Sequence, residues 1–114
     1  MFQQDPGAMI GTITCEQLKA LLDRGEPLKL VDVRTPMERE LCTIEPSVLL
    51  DSEETADALL AEDDGSPVVF FCHIGGRSHH AAMWFRQRGM AQPLNLLGGI
   101  DAWSREVDPT VPTY

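Results

Sequence analysis

An α/β fold with a mainly parallel sheet and helices on both faces is predicted by three features of the 114-residue sequence. Short runs of branched and aromatic residues alternate with segments of helical periodicity. One run, Val68 to Phe71, is apolar at every position, the pattern of a central strand covered on both faces. Two signatures, Thr14-x-x-Gln17 and Thr35-x-x-Glu38, mark helix starts that frame the first strand. The length suits one domain, and a composition of 43% hydrophobic and 24% charged residues is that of an ordinary globular one.

Residues 1–11 read as a flexible leader, 12–106 as the domain, and 107–114, with Pro109 and Pro112, as an extended tail. Thr14 caps a helix whose apolar stripe is Leu18, Leu21 and Leu22 and whose stop is Gly25. Leu28 to Val33 follows as a core strand, interrupted by Asp32. Thr35-Pro36-Met37-Glu38 combines a cap, proline at the first helical position and a returning glutamate, so a short helix runs to about Cys42. Ser47 to Leu50 makes a brief strand. Asp51 or Ser52 caps a helix that turns Ala56, Leu59 and Leu60 inward, and Glu62 to Pro67 is a solvated loop. After Val68 to Phe71 come a helix from about Ser78 to Arg88, closed by Gly89, a weaker strand over Leu94 to Leu97, and a last helix entered through Gly98-Gly99. Sites in such sheets lie at the carboxyl ends of the strands.

Cys72 stands at that end of the most buried strand, followed by His73-Ile74-Gly75-Gly76-Arg77-Ser78. Two glycines allow a tight turn in which successive N–H groups converge, and the positive end of the next helix aims at the same point. A thiol there is acidified towards the nucleophilic thiolate, and Arg77 adds a fixed positive charge. A cysteine ending a strand can equally be a plain core residue. The position, the glycine pair, the arginine and the helix start together favour the reactive reading. Cys15 and Cys42 have no such surroundings and read as structural.

The net charge of −9 opposes binding to nucleic acid. It is unevenly spread: Gly65 to Ile100 holds three arginines and no acid, giving +3 against −12 for the remainder, which reads either as a local patch for capture of a small anion or as a chance clustering of surface charge. The longest apolar runs are four or five residues, far short of the ~20 that span a bilayer, so no membrane partner is expected. No secretory pattern opens the sequence, and the expected location is cytoplasmic. Three cysteines with no Cys-x-x-Cys spacing suggest neither a disulfide framework nor a zinc ribbon. His79 and His80, adjacent on a helix, point about 100° apart, and no metal is expected.

These residues resemble the rhodanese family. The loop Cys72 to Ser78 is similar to that family's Cys-x-x-Gly-x-Arg-Ser. Leu30-Val31-Asp32-Val33-Arg34 resembles its Asp-Val-Arg segment, and Gly98-Gly99-Ile100-Asp101-Ala102-Trp103 its Gly-Gly-x-x-Ala-Trp motif. The family's Gly-His-Ile-Pro-Gly-Ala stretch stands here as Cys42-Thr43-Ile44-Glu45-Pro46-Ser47, without the histidine.

The resemblance implies a five-stranded sheet and a sulfurtransferase without cofactor, in which Cys72 takes sulfur from thiosulfate or a related persulfide donor. A thiol or cyanide then accepts it, with a thioredoxin- or glutaredoxin-type protein as a further partner. Arg77 would be catalytic with Cys72. His73, Ile74, Gly75, Gly76 and Ser78 would bind substrate, and Asp32 and Arg34 would support the loop. Two rival functions share the fold. A phosphatase or arsenate reductase would need a wider ring than the four residues between Cys72 and Arg77, since the related dual-specificity phosphatases resemble Cys-x5-Arg. A noncatalytic interaction module would have no use for a cysteine at the cradle centre.

Overall fold

The computed structural model describes residues 3–5 and 10–114. Its elements, in chain order, are strand β1 (Gln3–Asp5), β2 (Ile10–Ile13), helix α1 (Cys15–Asp23), β3 (Lys29–Asp32), α2 (Pro36–Leu41), β4 (Val48–Leu49), α3 (Glu53–Ala61), β5 (Val68–Phe71), α4 (Gly76–Gln87), β6 (Pro93–Leu96) and α5 (Gly99–Glu106). One sheet takes the order β1-β2-β6-β5-β3-β4. Five strands are mutually parallel, and β1 adds an antiparallel edge through Gln4 opposite Gly11. Among the described residues no helix is long and apolar enough to cross a membrane.

The expected leader is therefore partly sheet. Ile10 is buried and belongs to the core, so ordered structure begins before residue 12, and residues 1–2 and 6–9 of the expected leader lie outside the described residues. Sequence pattern missed this because β2 joins the body of the sheet through β6, about eighty residues away.

Alternation along β5 divides the core. Val69 and Phe71 pack with Leu18 and Leu21 of α1 and with Ile100 and Trp103 of α5 on one face. Val68 and Phe70 pack with Ala56 and Leu59 of α3 and with Ala82 and Phe85 of α4 on the other. The helices that make these faces start where the caps require. Thr14 accepts from the Gln17 amide at 3.1 Å while Gln17 returns to the Thr14 amide at 3.0 Å, and Thr35 and Glu38 form the same reciprocal pair. Ser52 caps α3.

Two boundaries differ from expectation. Helix α4 begins at Gly76 because Gly75, at φ +120°, adopts a backbone that other residues rarely reach, so only His73, Ile74 and Gly75 separate Cys72 from the helix. The tail does not run free: Ser104 Oγ donates to the Val111 carbonyl, Val107 and Val111 pack against the core, and the chain turns back to bring Tyr114 beside Arg34 and Glu38.

Helix α5 positions the end of β5. The amides of Ile100 and Asp101 donate to the carbonyls of Cys72 and His73 at 2.9 and 3.0 Å. The approach is so close that a Cβ on Gly99, itself at φ +60°, would lie 2.5 Å from both carbonyl oxygens. Gly99→Ala is expected to lower unfolding free energy by ~2–4 kcal/mol through this backbone clash, measured as a lower urea midpoint at unchanged slope.

Candidate active site

The chain leaves β5 at Phe71 and places Cys72 just beyond the sheet, with only 1% of its surface exposed. The Gly75 amide donates to Cys72 Sγ at 3.0 Å, and the Ser78 hydroxyl lies 3.3 Å from the same sulfur. Burial pushes the thiol pKa up. The Ser78 hydroxyl and the amides of Ser78, Gly75 and Arg77 oppose it, and together they hold Cys72 below its ordinary 9.0. The sulfur sits where the first turn of α4 presents unpaired N–H groups, which favour negative charge. Behind it, Ser78 Oγ donates to Asn95 Oδ1 at 2.6 Å, and Asn95 Nδ2 donates to the Gly75 carbonyl at 3.2 Å.

The rim is made by α2 and the tail. Arg77 reaches out of the loop, its side chain 47% exposed, and meets Glu38 through two parallel bonds of 2.7 and 3.0 Å. Arg77, first of all, holds the Glu38 carboxyl well below the usual carboxylate range, with the Tyr114 hydroxyl and the Thr35 amide adding to it against partial burial. Tyr114 donates to Glu38 Oε2 at 2.5 Å, and its ring stacks on His73 at 4.2 Å.

Beneath the rim lies a buried ion pair. Arg34 Nε and Nη2 donate to the two oxygens of Asp32 at 2.9 and 2.8 Å, and both side chains are fully buried. Arg34 also donates to the carbonyls of Cys42 and Glu38, to Cys42 Sγ and to Tyr114 Oη, while Arg39 donates to Asp32 from the other side at 3.1 Å. A thiol ringed by amides at a helix start can attack a small electrophile and carry a transferred group.

Comparison with known proteins fits this geometry. The Rhodanese-like domain family matches residues 14–106. The chain belongs to the rhodanese-like family. It is 36% identical over 109 residues to a Zea mays protein named "Adenylyltransferase and sulfurtransferase MOCS3-1", covering 90% of this chain and 23% of that one. A Mycobacterium tuberculosis protein named "Probable adenylyltransferase/sulfurtransferase MoeZ" is 30% identical over 105 residues, covering 90% and 27%. The chain thus spans about a quarter of the length of these curated relatives, and it is homologous to them over that stretch. Among solved structures, a Rhodanese-like domain protein from Staphylococcus aureus superposes with a TM-score of 0.72 at 26% identity, covering 90% of this chain and 97% of that one.

Within this rhodanese-like domain, Cys72, Gly75 and Ser78 converge on the sulfur through bonded groups, and the Arg77 amide faces it, while the Arg77 guanidinium turns to Glu38. The Ile74 side chain is exposed on the rim, and His73 Nε2 is buried under Tyr114 without a hydrogen-bond partner. Asp32 and Arg34 stand together beneath the loop, as expected of support.

The cationic segment does not form a patch around the site. Arg86 donates to the carbonyls of Met90 and Ala91, and Arg88 stacks 3.5 Å from the Trp84 ring, both at the far end of α4 from Arg77. Sequence reading saw Glu38 only as half of a capping box and passed over Asn95 and Tyr114. The signal for Asn95 was a lone amide inside an apolar strand.

The other cysteines are packed away. Cys42 accepts from Arg34 at 3.8 Å, and Cys15 is buried at the start of α1. Burial, aided by Glu106, pushes the Cys15 thiol up to about 12 from 9.0. The folded chain keeps this proton after the unfolded chain has lost its own, so its contribution to stability is whole below pH 9.0 and is lost as pH rises towards 12. Urea unfolding from pH 8 to 10.5 is expected to show a loss of up to ~1.4 kcal/mol per pH unit above 9 that is missing in Cys15→Ala.

Proposed function

We propose that the domain transfers sulfane sulfur through a persulfide on Cys72. The observation that carries this reading is the buried Cys72 sulfur, bonded by the Gly75 amide at 3.0 Å and held below its ordinary pKa at the start of α4. The Cys72 thiolate attacks the outer sulfur of a donor such as thiosulfate. A Cys72–sulfur bond forms as the donor's S–S bond breaks, and the electron pair of that bond departs with sulfite. The loaded cysteine carries its negative charge on the outer sulfur, beside the loop amides. A thiolate or cyanide then attacks that sulfur, and the pair of the Cys72–sulfur bond returns to the cysteine.

Each half of the reaction places one negative charge near the cradle, and fixed amides stabilise it without rearranging. Arg77 spends two of its five N–H groups on Glu38, and the other three remain to meet the oxygens of an anionic donor. A phosphate cradle would turn the loop arginine inward; this one is tied to α2. The relatives' names include sulfurtransferase, which supports the same chemistry here.

Incubation of the whole chain with thiosulfate, followed by mass spectrometry, is expected to add one sulfur on Cys72. Cys72→Ala should lose both this adduct and thiocyanate formation from cyanide, while Cys15→Ala and Cys42→Ala keep them. An adduct on another cysteine, or none with any donor, would refute the reading. Arg77→Lys keeps charge but loses the planar fork, and it is expected to lower kcat/KM for thiosulfate by ~10², with Arg77→Ala lower still. Wild-type kcat/KM in both would leave the anion site to the amides alone.

A further inference from the structure

Asn95 is 6% exposed in a strand that is otherwise core, and a buried amide is tolerated only when its groups are bonded. Its orientation is fixed by its partners. The Gly75 carbonyl can only accept, so the amide nitrogen faces it, and Oδ1 must face Ser78. Oδ1 carries no hydrogen, so the 2.6 Å bond requires the Ser78 hydroxyl to be the donor. That hydroxyl has one proton, and Cys72 Sγ lies 3.3 Å from the same oxygen.

While Cys72 is a thiol there is no conflict: its S–H donates to Ser78, and Ser78 donates to Asn95. Ionisation creates one. Ser78 either turns its proton to the sulfur and strands a buried carbonyl oxygen, or keeps it on Asn95 and leaves the thiolate to the loop amides alone. We infer that Asn95 is a positioning residue for Cys72, which limits how strongly Ser78 can stabilise the thiolate by competing for its single proton.

The competition vanishes once sulfur is loaded. In the persulfide the charge sits on the outer sulfur, Sγ is neutral, and Ser78 is free to return to Asn95. Asn95 thereby disfavours the empty thiolate relative to the loaded cysteine. This last step rests on the sulfur-transfer reading; the competition itself does not.

The titratable and charged groups around the sulfur are His73 in the loop with Tyr114 of the tail stacked on it, Arg77 of α4 with Glu38 of α2 behind it, Asp101 of α5 beside His73, and the Asp32–Arg34 pair at the end of β3. None is altered by substituting Asn95. The Gly75 carbonyl, deprived of the amide, still accepts from the His79 amide at 3.2 Å.

The test is the pH dependence of iodoacetamide alkylation at Cys72, followed by peptide mass spectrometry in the full chain, for wild type, Asn95→Leu, Ser78→Ala and the double variant. Asn95→Leu is expected to lower the midpoint by about one pKa unit, since a hydrogen bond to a charged group becomes fully available. Where Ser78→Ala is already present, Asn95→Leu should leave the midpoint unmoved. An unchanged or raised midpoint with Ser78 intact, or the same fall without Ser78, would overturn the inference. Asn95→Ala, which adds no volume, repeats the test if leucine disturbs β6. A second readout separates this role from mere loosening of the loop. Thiol nucleophilicity falls, and leaving ability rises, with a Brønsted slope near 0.4–0.5, so one unit should slow loading of the thiolate ~3-fold and speed discharge to cyanide ~3-fold. Slowing of both steps would also overturn it. Failure of any donor to load Cys72 would instead defeat the sulfur-transfer reading, with the alkylation midpoints still deciding the role of Asn95.

Discussion

The site depends on how the first turn of α5 holds the backbone at the end of β5. In a trans peptide the carbonyl of one residue and the N–H of the next point in opposite directions. Because the carbonyls of Cys72 and His73 are both taken by amides of Ile100 and Asp101, the N–H groups of His73 and Ile74 face away from α5. The hold fixes where the chain enters the Gly75 turn, and so where the amides of Gly75, Arg77 and Ser78 meet the sulfur. The hold is possible only because Gly99 carries no Cβ and because Ile100 and Trp103 bury α5 against the sheet. A segment distant in sequence thereby serves packing and chemistry at once. Its residues set the direction of the loop that carries Cys72.

The Asp32–Arg34 pair does for α2 what α5 does for the loop. Two full charges with no exposure are costly to bury, and the structure answers by giving Arg34 bonds to Asp32, to two backbone carbonyls, to Cys42 Sγ and to Tyr114. Asp32 is shared with Arg39, which also donates to the Ser47 carbonyl and to Thr43, the residue beside Cys42 in the stretch that lacks the family's histidine. Removing Asp32 would leave the Arg34 guanidinium buried without its counter-charge, at ~3–5 kcal/mol. The geometric yield is that α2 is fixed at the end of β3. Glu38 then stands where it meets Arg77.

What the sequence made legible follows from range. Thr14 with Gln17 and Thr35 with Glu38 announce their helices because both halves of each box lie within one turn, so local pattern contains the whole interaction. The run Val68 to Phe71 announces a central strand because two covered faces leave no polar position. Cys72 was legible because the strand end, the glycines and the helix start are contiguous. The rest was hidden by distance. Glu38 already had a sufficient local explanation, and nothing near it in sequence points to Arg77 or Tyr114. The start of α4 was misplaced by two residues because a helix entered through consecutive glycines looks like loop until the φ of Gly75 is known. Asn95 carried a signal, a polar side chain in a buried strand, but its meaning lay in Ser78 and Gly75, seventeen and twenty residues earlier.

Net charge misled most, and the reason bears on how the site works. Three arginines in an acid-free segment suggest a positive field at the loop, yet two of them serve the far end of α4 and the third is neutralised by Glu38. A field built from mobile surface charges would be weakened by salt and by the −12 carried by the rest of the chain. The amides around Cys72 are fixed dipoles within bonding distance of a buried sulfur, where screening is slight and no reorganisation is needed as charge arrives. An acidic protein can therefore stabilise a thiolate without a basic surface. The fold has only to keep a few N–H groups turned the right way, which is what the hold from α5 does.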